Sequence, residues 1–440
     1  MIDTSKFQDK KMALYTLGCR LNFAETSTIA TQLKEIGFRK IRLGEQADIC
    51  IINTCTVTEM ADKKSRQAIQ RLIKQHPNAF VVVTGCYAQL KPQDIAAIKG
   101  VDLVLGANEK FDVIHYLDSL TKKNKAEIQH METSSIQRFN PSLSHEDRTR
   151  FFLKVQDGCD YHCSYCTIPL ARGASRNGTI ADTIRLANQA IAEGAREIVL
   201  TGVNIGDFGK STNETFFDLL KSLDDIPAEI RYRIGSVEPN LLTNQIIDFL
   251  AHSTHFAPHF HIPLQSGSNA MLKLMRRRYQ RELFKEKVEW IRQCMPDAFI
   301  GVDVIVGMQG EGNDEFENGY EFIQQLPVSQ LHVFTYSERA NTAALTIANT
   351  VSLADRKKRS DRLHQLSNEK LKAFYLQHQG ERRKVLWESN RKGKMMTGFT
   401  DNYIHVATPW DRAKLNQFEW VRLEHFSDTL TENGWMGFQC

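Results

Sequence analysis

Phe151-Phe152-Leu153-Lys154-Val155-Gln156-Asp157-Gly158-Cys159-Asp160-Tyr161-His162-Cys163-Ser164-Tyr165-Cys166 is the stretch on which the reading of this chain turns. An apolar run, Phe151–Val155, gives way to a polar turn and then to three cysteines spaced C-x3-C-x2-C. Three thiolates on one tight loop can hold three irons of a [4Fe–4S] cluster, leaving the fourth iron open to a substrate or cofactor. Structural zinc competes, but it usually takes four closed ligands, often in two pairs, and no second pair lies nearby. His162 could add a ligand, yet its adjacency to Cys163 makes joint tetrahedral ligation awkward. Unliganded buried thiols are the remaining reading.

Outward from that loop, the apolar run is the first of six. Phe151–Val155, Glu197–Leu200, Tyr232–Gly235, His259–Leu264, Ile300–Val306 and Leu331–Thr335 read as strands, with helical segments such as Thr183–Ala192 and Leu283–Cys294 between them. Such alternation predicts a parallel, partial (β/α)6 barrel whose active site lies at the carboxyl ends of the strands, where the cysteine loop falls. This unit is expected to span 145–378.

Upstream, residues 10–120 read as a separate parallel α/β domain, with strands at Met12–Leu17, Ile49–Ile52, Phe80–Val83 and Asp102–Leu105. Three of these end at a cysteine: Cys19 after Gly18, Cys55 after Asn53-Thr54, and Cys86 after Thr84-Gly85. The carboxyl ends of an open α/β sheet share one crevice, so the three thiols can converge. Each alone reads equally as a small core residue. Cys50, Cys294 and Cys440 read as structural. Residues 121–144 are polar and read as a linker. After Gly380 come short β-like runs, Val385-Leu386-Trp387, Met395–Thr400, Tyr403–Val406 and Phe418–Leu423, which predict a small antiparallel β-barrel over 379–440.

Composition excludes several classes. The chain has 440 residues, 42% hydrophobic and 25% charged, enough for several cored domains. No apolar run is long enough to span a membrane and the first residues lack a signal-peptide h-region, so a cytoplasmic chain with no membrane partner is expected. Its nine cysteines are then expected to be thiols, metal ligands or catalytic groups rather than disulfides. The net charge of +4 is mild, but Lys and Arg cluster at 271–292, 352–372 and 380–400. In the last cluster Arg382, Arg383, Lys384, Arg391, Lys392 and Lys394 lie among Trp387, Phe399 and Tyr403. Basic groups hold phosphates and aromatics stack on unpaired bases; the same aromatics also suit a barrel core.

The three-cysteine loop, with Tyr165 before its last cysteine, resembles that of radical S-adenosylmethionine enzymes. In that superfamily the open iron chelates S-adenosylmethionine, and one-electron reduction releases a 5′-deoxyadenosyl radical. Thr16-Leu17-Gly18-Cys19, Asn53-Thr54-Cys55-Thr56-Val57-Thr58 and Thr84-Gly85-Cys86 resemble the N-terminal domain of methylthiotransferases. Thr201-Gly202-Val203-Asn204-Ile205-Gly206 and His261-Ile262-Pro263-Leu264-Gln265-Ser266-Gly267-Ser268 resemble blocks of their radical domain, and the terminal β segment resembles a TRAM RNA-binding domain.

This resemblance implies two [4Fe–4S] clusters, one on Cys159, Cys163 and Cys166 and one on Cys19, Cys55 and Cys86. It also implies an S-adenosylmethionine site near Tyr165, Gly202 and Asn204, a tRNA substrate, and external electron and sulfur donors. Gln156-Asp157-Gly158-Cys159 and the run from Asn53 to Gln67 resemble the branch that methylthiolates C2 of N6-threonylcarbamoyladenosine beside the anticodon. Branches acting on isopentenyladenosine or on a ribosomal-protein side chain are the alternatives, and an iron–sulfur RNA-binding module is the non-enzymatic one. Val306-Gly307-Met308-Gln309-Gly310-Glu311 and Phe334-Thr335-Tyr336-Ser337-Glu338-Arg339-Ala340-Asn341 depart from the family pattern by losing two prolines and a glycine.

Overall fold

A computed structural model describes residues 5–117, 119–144, 149–392, 394–430 and 436–440; the boundary expected at residue 145 and the side chains of Arg391 and Lys392 lie outside the described residues. The N-terminal domain is a six-stranded parallel sheet. Its spatial order is Arg39–Lys40, Lys11–Thr16, Ile49–Thr54, Phe80–Gly85, Leu103–Leu105, Glu127–Gln129. Its central strands are apolar on both faces because helices cover both. Ile49, Ile51, Phe80 and Val82 pack toward the helix Arg20–Glu35, while Cys50, Ile52, Val81 and Val83 pack toward Glu59–Gln75.

The stretch 121–144, expected to be a linker, carries sheet. Glu127–Gln129 adds the sixth strand beside Leu103–Leu105, and Ser142–Leu143 pairs antiparallel with Arg150–Lys154. An edge strand need bury only one face, so its sequence carries no apolar run.

In the central domain the six expected strands are present. Arg150–Lys154, Glu197–Thr201 and Arg231–Ile234 run parallel, as do His259–Gln265, Phe299–Val306 and Gln330–Thr335. Isolated bridges Tyr232↔Phe256 and Ser236↔His261 join the halves into a partial barrel. Helices cover its outside, and Thr179, Thr215, Thr243 and Ser352 cap four of them by accepting a backbone N–H.

The C-terminal sheet has six strands in the order Phe418–Arg422, Arg382–Lys392, Met395–Thr400, His405–Pro409, Gly437–Gln439, His425–Ser427. It is antiparallel except where His405–Pro409 meets Gly437–Gln439, and it curls about Trp387, Met396, Val406 and Phe438. This domain seals the amino ends of the barrel strands. Arg231 donates to the carbonyls of Lys384 and Phe399, and Arg233 to that of Asp401.

This docking turns most of the candidate RNA-facing side chains inward, in line with the barrel-core reading of the aromatics. Trp387 is fully buried and donates to Glu419. Phe399 and Tyr403 stack on each other at 4.7 Å, with Arg150 4.9 Å from the Phe399 ring and Arg233 4.8 Å from that of Tyr403. Arg383 pairs with Asp297 and Lys384 with Glu229, both on the barrel. Arg382 and Lys394 stay exposed.

Candidate functional site

The cysteine loop follows the first barrel strand, at the end opposite the C-terminal sheet. Gly158 turns the chain at φ +71°, and a Cβ there would lie 2.0 Å from the Ala174 carbonyl oxygen. Only glycine allows that approach. The Cys159 N–H then bonds Gly173 O at 3.0 Å, and Ser164 is held to Met275 O and Leu274 O. All three sulfurs accept N–H donors: Cys159 from Tyr161 and Cys166 from Ile168, both at 3.4 Å, and Cys163 from Arg277 at 3.1 Å.

Burial pushes the thiols of Cys159 and Cys166 up to about 12 and raises that of Cys163; charge repulsion from neighbouring cysteines adds to the rise of Cys159 and Cys166, and that from Glu238 to the rise of Cys163. Three such groups become thiolates together when a cation takes up their charge. Half-buried sulfurs already furnished with N–H donors fit an iron–sulfur cluster.

A cavity of about 420 Å³ opens over these sulfurs. Tyr165 and Asn204 line it, with Glu238, Arg277 and Asp303. Asn204 donates to Asp207 at 3.0 Å, while its buried Oδ1 has no partner among the described residues and is free to meet a ligand. Gly202 stands behind the wall instead. A Cβ there would come within 2.9 Å of the Gln156 carbonyl oxygen. Its bareness lets the turn settle on Gln156, whose Oε1 accepts from the N–H groups of Val203 and Asn204 at 3.0 and 2.8 Å.

Across the cavity lie Val57 and Thr58, directly after Cys55. Cys19, Cys55 and Cys86 follow three adjacent strands of the N-terminal sheet. Gly18, at φ +96°, would place a Cβ 2.8 Å from the Cys55 Cβ, so the first two cysteine loops touch only because residue 18 is bare. Cys86 opens a short helix and its charge acts on both Cys19 and Cys55. Burial raises Cys55 to about 11 and Cys19 in the same direction. This second donor set has the same chemistry as the first. Arg339 ties the two domains here, donating to Thr56 at 2.6 Å and to Asp62 at 3.1 Å. Met308 is buried against Met271 and Tyr336, and the departing run 334–337 lines the cavity.

Several residues escaped the sequence reading. Arg277 and Glu238 form a buried ion pair on the cavity wall, and Arg277 had no mark beyond membership of a basic cluster. Gln156 was visible only within the motif preceding the cysteines. His261, Asp303 and His332 gather on three adjacent barrel strands, with His261 Nε2 2.6 Å from Asp303 Oδ1.

The model described as Uncharacterized protein family UPF0004 matches residues 11–106, and that of the Radical SAM superfamily matches 153–323. Threonylcarbamoyladenosine tRNA methylthiotransferase MtaB of Bacillus subtilis (strain 168) is 38% identical over 405 residues, covering 90% of this chain and 90% of its own. The chain belongs to the radical S-adenosylmethionine methylthiotransferases. Within the methylthiotransferases it is also 30% identical to tRNA-2-methylthio-N(6)-dimethylallyladenosine synthase of Clostridium botulinum (strain Hall), over 88% of this chain and 90% of the other. The fold of this methylthiotransferase is shared with the radical S-adenosylmethionine methyltransferase TsrM of Kitasatospora setae. The TM-score is 0.55 at 13% identity, over 74% of this chain and 73% of that one. Among the described residues no helix is long and apolar enough to cross a membrane.

Proposed function

We propose that this methylthiotransferase inserts a methylthio group at C2 of N6-threonylcarbamoyladenosine beside the anticodon of tRNA. The observation that carries the reading is one cavity lined both by Cys159, Cys163 and Cys166 and by Val57 and Thr58, the residues that follow Cys55 in the N-terminal domain. Cys159, Cys163 and Cys166 would hold a [4Fe–4S] cluster, with S-adenosylmethionine in the cavity beside Tyr165 and Asn204. Cys19, Cys55 and Cys86 would hold the second cluster, on the side from which sulfur arrives. When bound, the first cluster and S-adenosylmethionine supply the one-electron chemistry that an unactivated aromatic C–H requires. The chain's own part is to seat both donors, to fill the space between them with substrate, and to keep water out. Electrons and sulfur come from external donors, and the chain works in the cytoplasm, where its tRNA substrate resides.

Two observations favour the threonylcarbamoyl substituent over the isopentenyl one. Relatives bearing the MtaB name reach 38% identity. The barrel wall also carries the polar set His261, Asp303 and His332, which suits a hydroxyl- and carboxylate-bearing group and wastes its polarity on a hydrocarbon. Mass spectrometry of tRNA nucleosides from a strain lacking the gene decides between them. Loss of the 2-methylthio threonylcarbamoyl nucleoside is expected. Its persistence alongside loss of the isopentenyl derivative would assign the other substrate.

A further inference from the structure

Between the two cysteine sets lies a buried charge cluster that neither set requires for ligation. Glu25, from the helix that begins after Cys19, receives Lys110 at 2.5 Å, Lys154 at 3.0 Å and Arg172 at 3.0 Å. Asp157, two residues before Cys159, receives Lys154 at 2.7 Å, Arg172 at 2.8 Å and Arg176 at 3.0 Å. All six side chains are at most 8% exposed. Four cations therefore face two carboxylates in the dry interior. A buried surplus of positive charge is costly unless a negative group lies beside it.

Arg172 shows where that group belongs. Its Nη2 donates to Asn22 Oδ1 at 2.7 Å, the same oxygen that lies 3.9 Å from the Cys19 sulfur. Its charge acts on both Cys19 and Cys86. The same guanidinium holds Asp157 at the root of the other cysteine loop. Three thiolates outweigh the charge of an oxidised [4Fe–4S] core, so a cluster on Cys19, Cys55 and Cys86 would be net negative.

We infer that Arg172 is the counter-ion of the N-terminal cysteine site and the strut that sets it against the three-cysteine loop, with Glu25 weakening its charge from behind. The inference rests on the proposed cluster at Cys19, Cys55 and Cys86. Arg172 acts as a positioning residue, through the site's charge and geometry.

Reduction adds a negative charge, which a neighbouring cation favours. The test uses the full chain carrying Cys159→Ala, Cys163→Ala and Cys166→Ala, anaerobically reconstituted with iron and sulfide so that only the N-terminal site is loaded. Electron paramagnetic resonance then follows a redox titration of this parent and of Arg172→Gln, Arg172→Lys and Glu25→Gln built on it. In Arg172→Gln the reduced-to-oxidised ratio at a fixed potential is expected to fall about tenfold, a shift of about 59 mV for one electron. Glu25→Gln should move the ratio the opposite way, and Arg172→Lys should stay near the parent.

Iron lost from the Gln variant but kept by the Lys variant would also support the inference, since the charge would then be needed to hold the site. Should Arg172→Gln fail to fold, the direction of the Glu25→Gln shift decides. Unmoved ratios, equal shifts in Lys and Gln, iron lost from both, or the Glu25 and Arg172→Gln variants moving together would overturn the inference alone. A parent that binds no iron overturns the second cluster and this inference with it.

Discussion

The two cysteine sites bring nearly the same donors together by opposite means. One is a loop of eight residues, Cys159 to Cys166, closed by its own backbone and by Gly158. The other gathers Cys19, Cys55 and Cys86 from three loops that only the pairing of three parallel strands brings together. A local site depends on turn geometry and is formed as soon as the turn is. A dispersed site depends on sheet register, because a shift of one residue would turn each strand end to the wrong face. In the proposed function the more general chemistry thus falls on the local site, and sulfur delivery on the site that exists only once the N-terminal domain has folded.

The sharpest way to break this comparison is to empty each site in turn. Replacing Cys159, Cys163 and Cys166 by alanine should halve the iron from about eight per chain to about four. It should also abolish 5′-deoxyadenosine formation, measured by chromatography after anaerobic reduction with S-adenosylmethionine. Full iron content would refute the loop assignment. Replacing Cys19, Cys55 and Cys86 should leave 5′-deoxyadenosine formation in place while methylthiolated nucleoside disappears. Normal product from that variant would remove the second cluster from the reaction.

A smaller effect sharpens the local-versus-dispersed distinction. Gly158→Ala and Gly18→Ala both force a side chain into a left-handed backbone, at roughly 1–3 kcal/mol each. Gly158→Ala also drives a Cβ into the Ala174 carbonyl, so its iron loss should fall on the loop site. Gly18→Ala pushes on the Cys55 side chain and should lower iron at the N-terminal site only. Iron analysis of each variant, with the other cysteine set removed, separates the two. Loss from the wrong site would mean that the glycines act through global stability.

The smallest expected effect concerns pH and contrasts the barrel interior with both cysteine sites. Burial and the neighbouring His261 lower the titration of His332 from 6.5 to about 4. Below about 6.5 the unfolded chain binds a proton at this residue that the folded chain refuses until about 4, so stability falls as pH drops through that window. Above it, His332 contributes no pH dependence. His332 is 40% exposed, so solvent screening keeps the change small. Urea midpoints at pH 7 and pH 5 should differ less in His332→Gln than in the parent. An unchanged difference would place the acid sensitivity elsewhere.

Much of the fold was legible because its signals are short-range. The six barrel strands appear within one or two residues of the apolar runs that announce them, and the C-x3-C-x2-C spacing names its chemistry without any fold. The basic clusters were the least legible part. Arg277 turns inward to Cys163 and Glu238. Arg356 and Arg359 on the long helix Leu353–Gln377 donate to Val351 O and to Glu311. Arg383 and Lys384 clasp the barrel. A long, flexible cationic side chain reads the same in sequence whether it faces phosphate or a buried carboxylate.

By itself the sequence determined the central strands of the two parallel domains, the close spacing of three thiols on one loop, and the order of the three domains. It did so because hydrophobic period and ligand spacing act within a few residues. Only the tertiary structure decided that Glu127–Gln129 belongs to the N-terminal sheet, that Trp387 and Tyr403 serve packing, and that Arg172 stands between the two cysteine sets. Those outcomes depend on partners more than twenty residues away, which only strand pairing, domain docking and the balance of buried charge select.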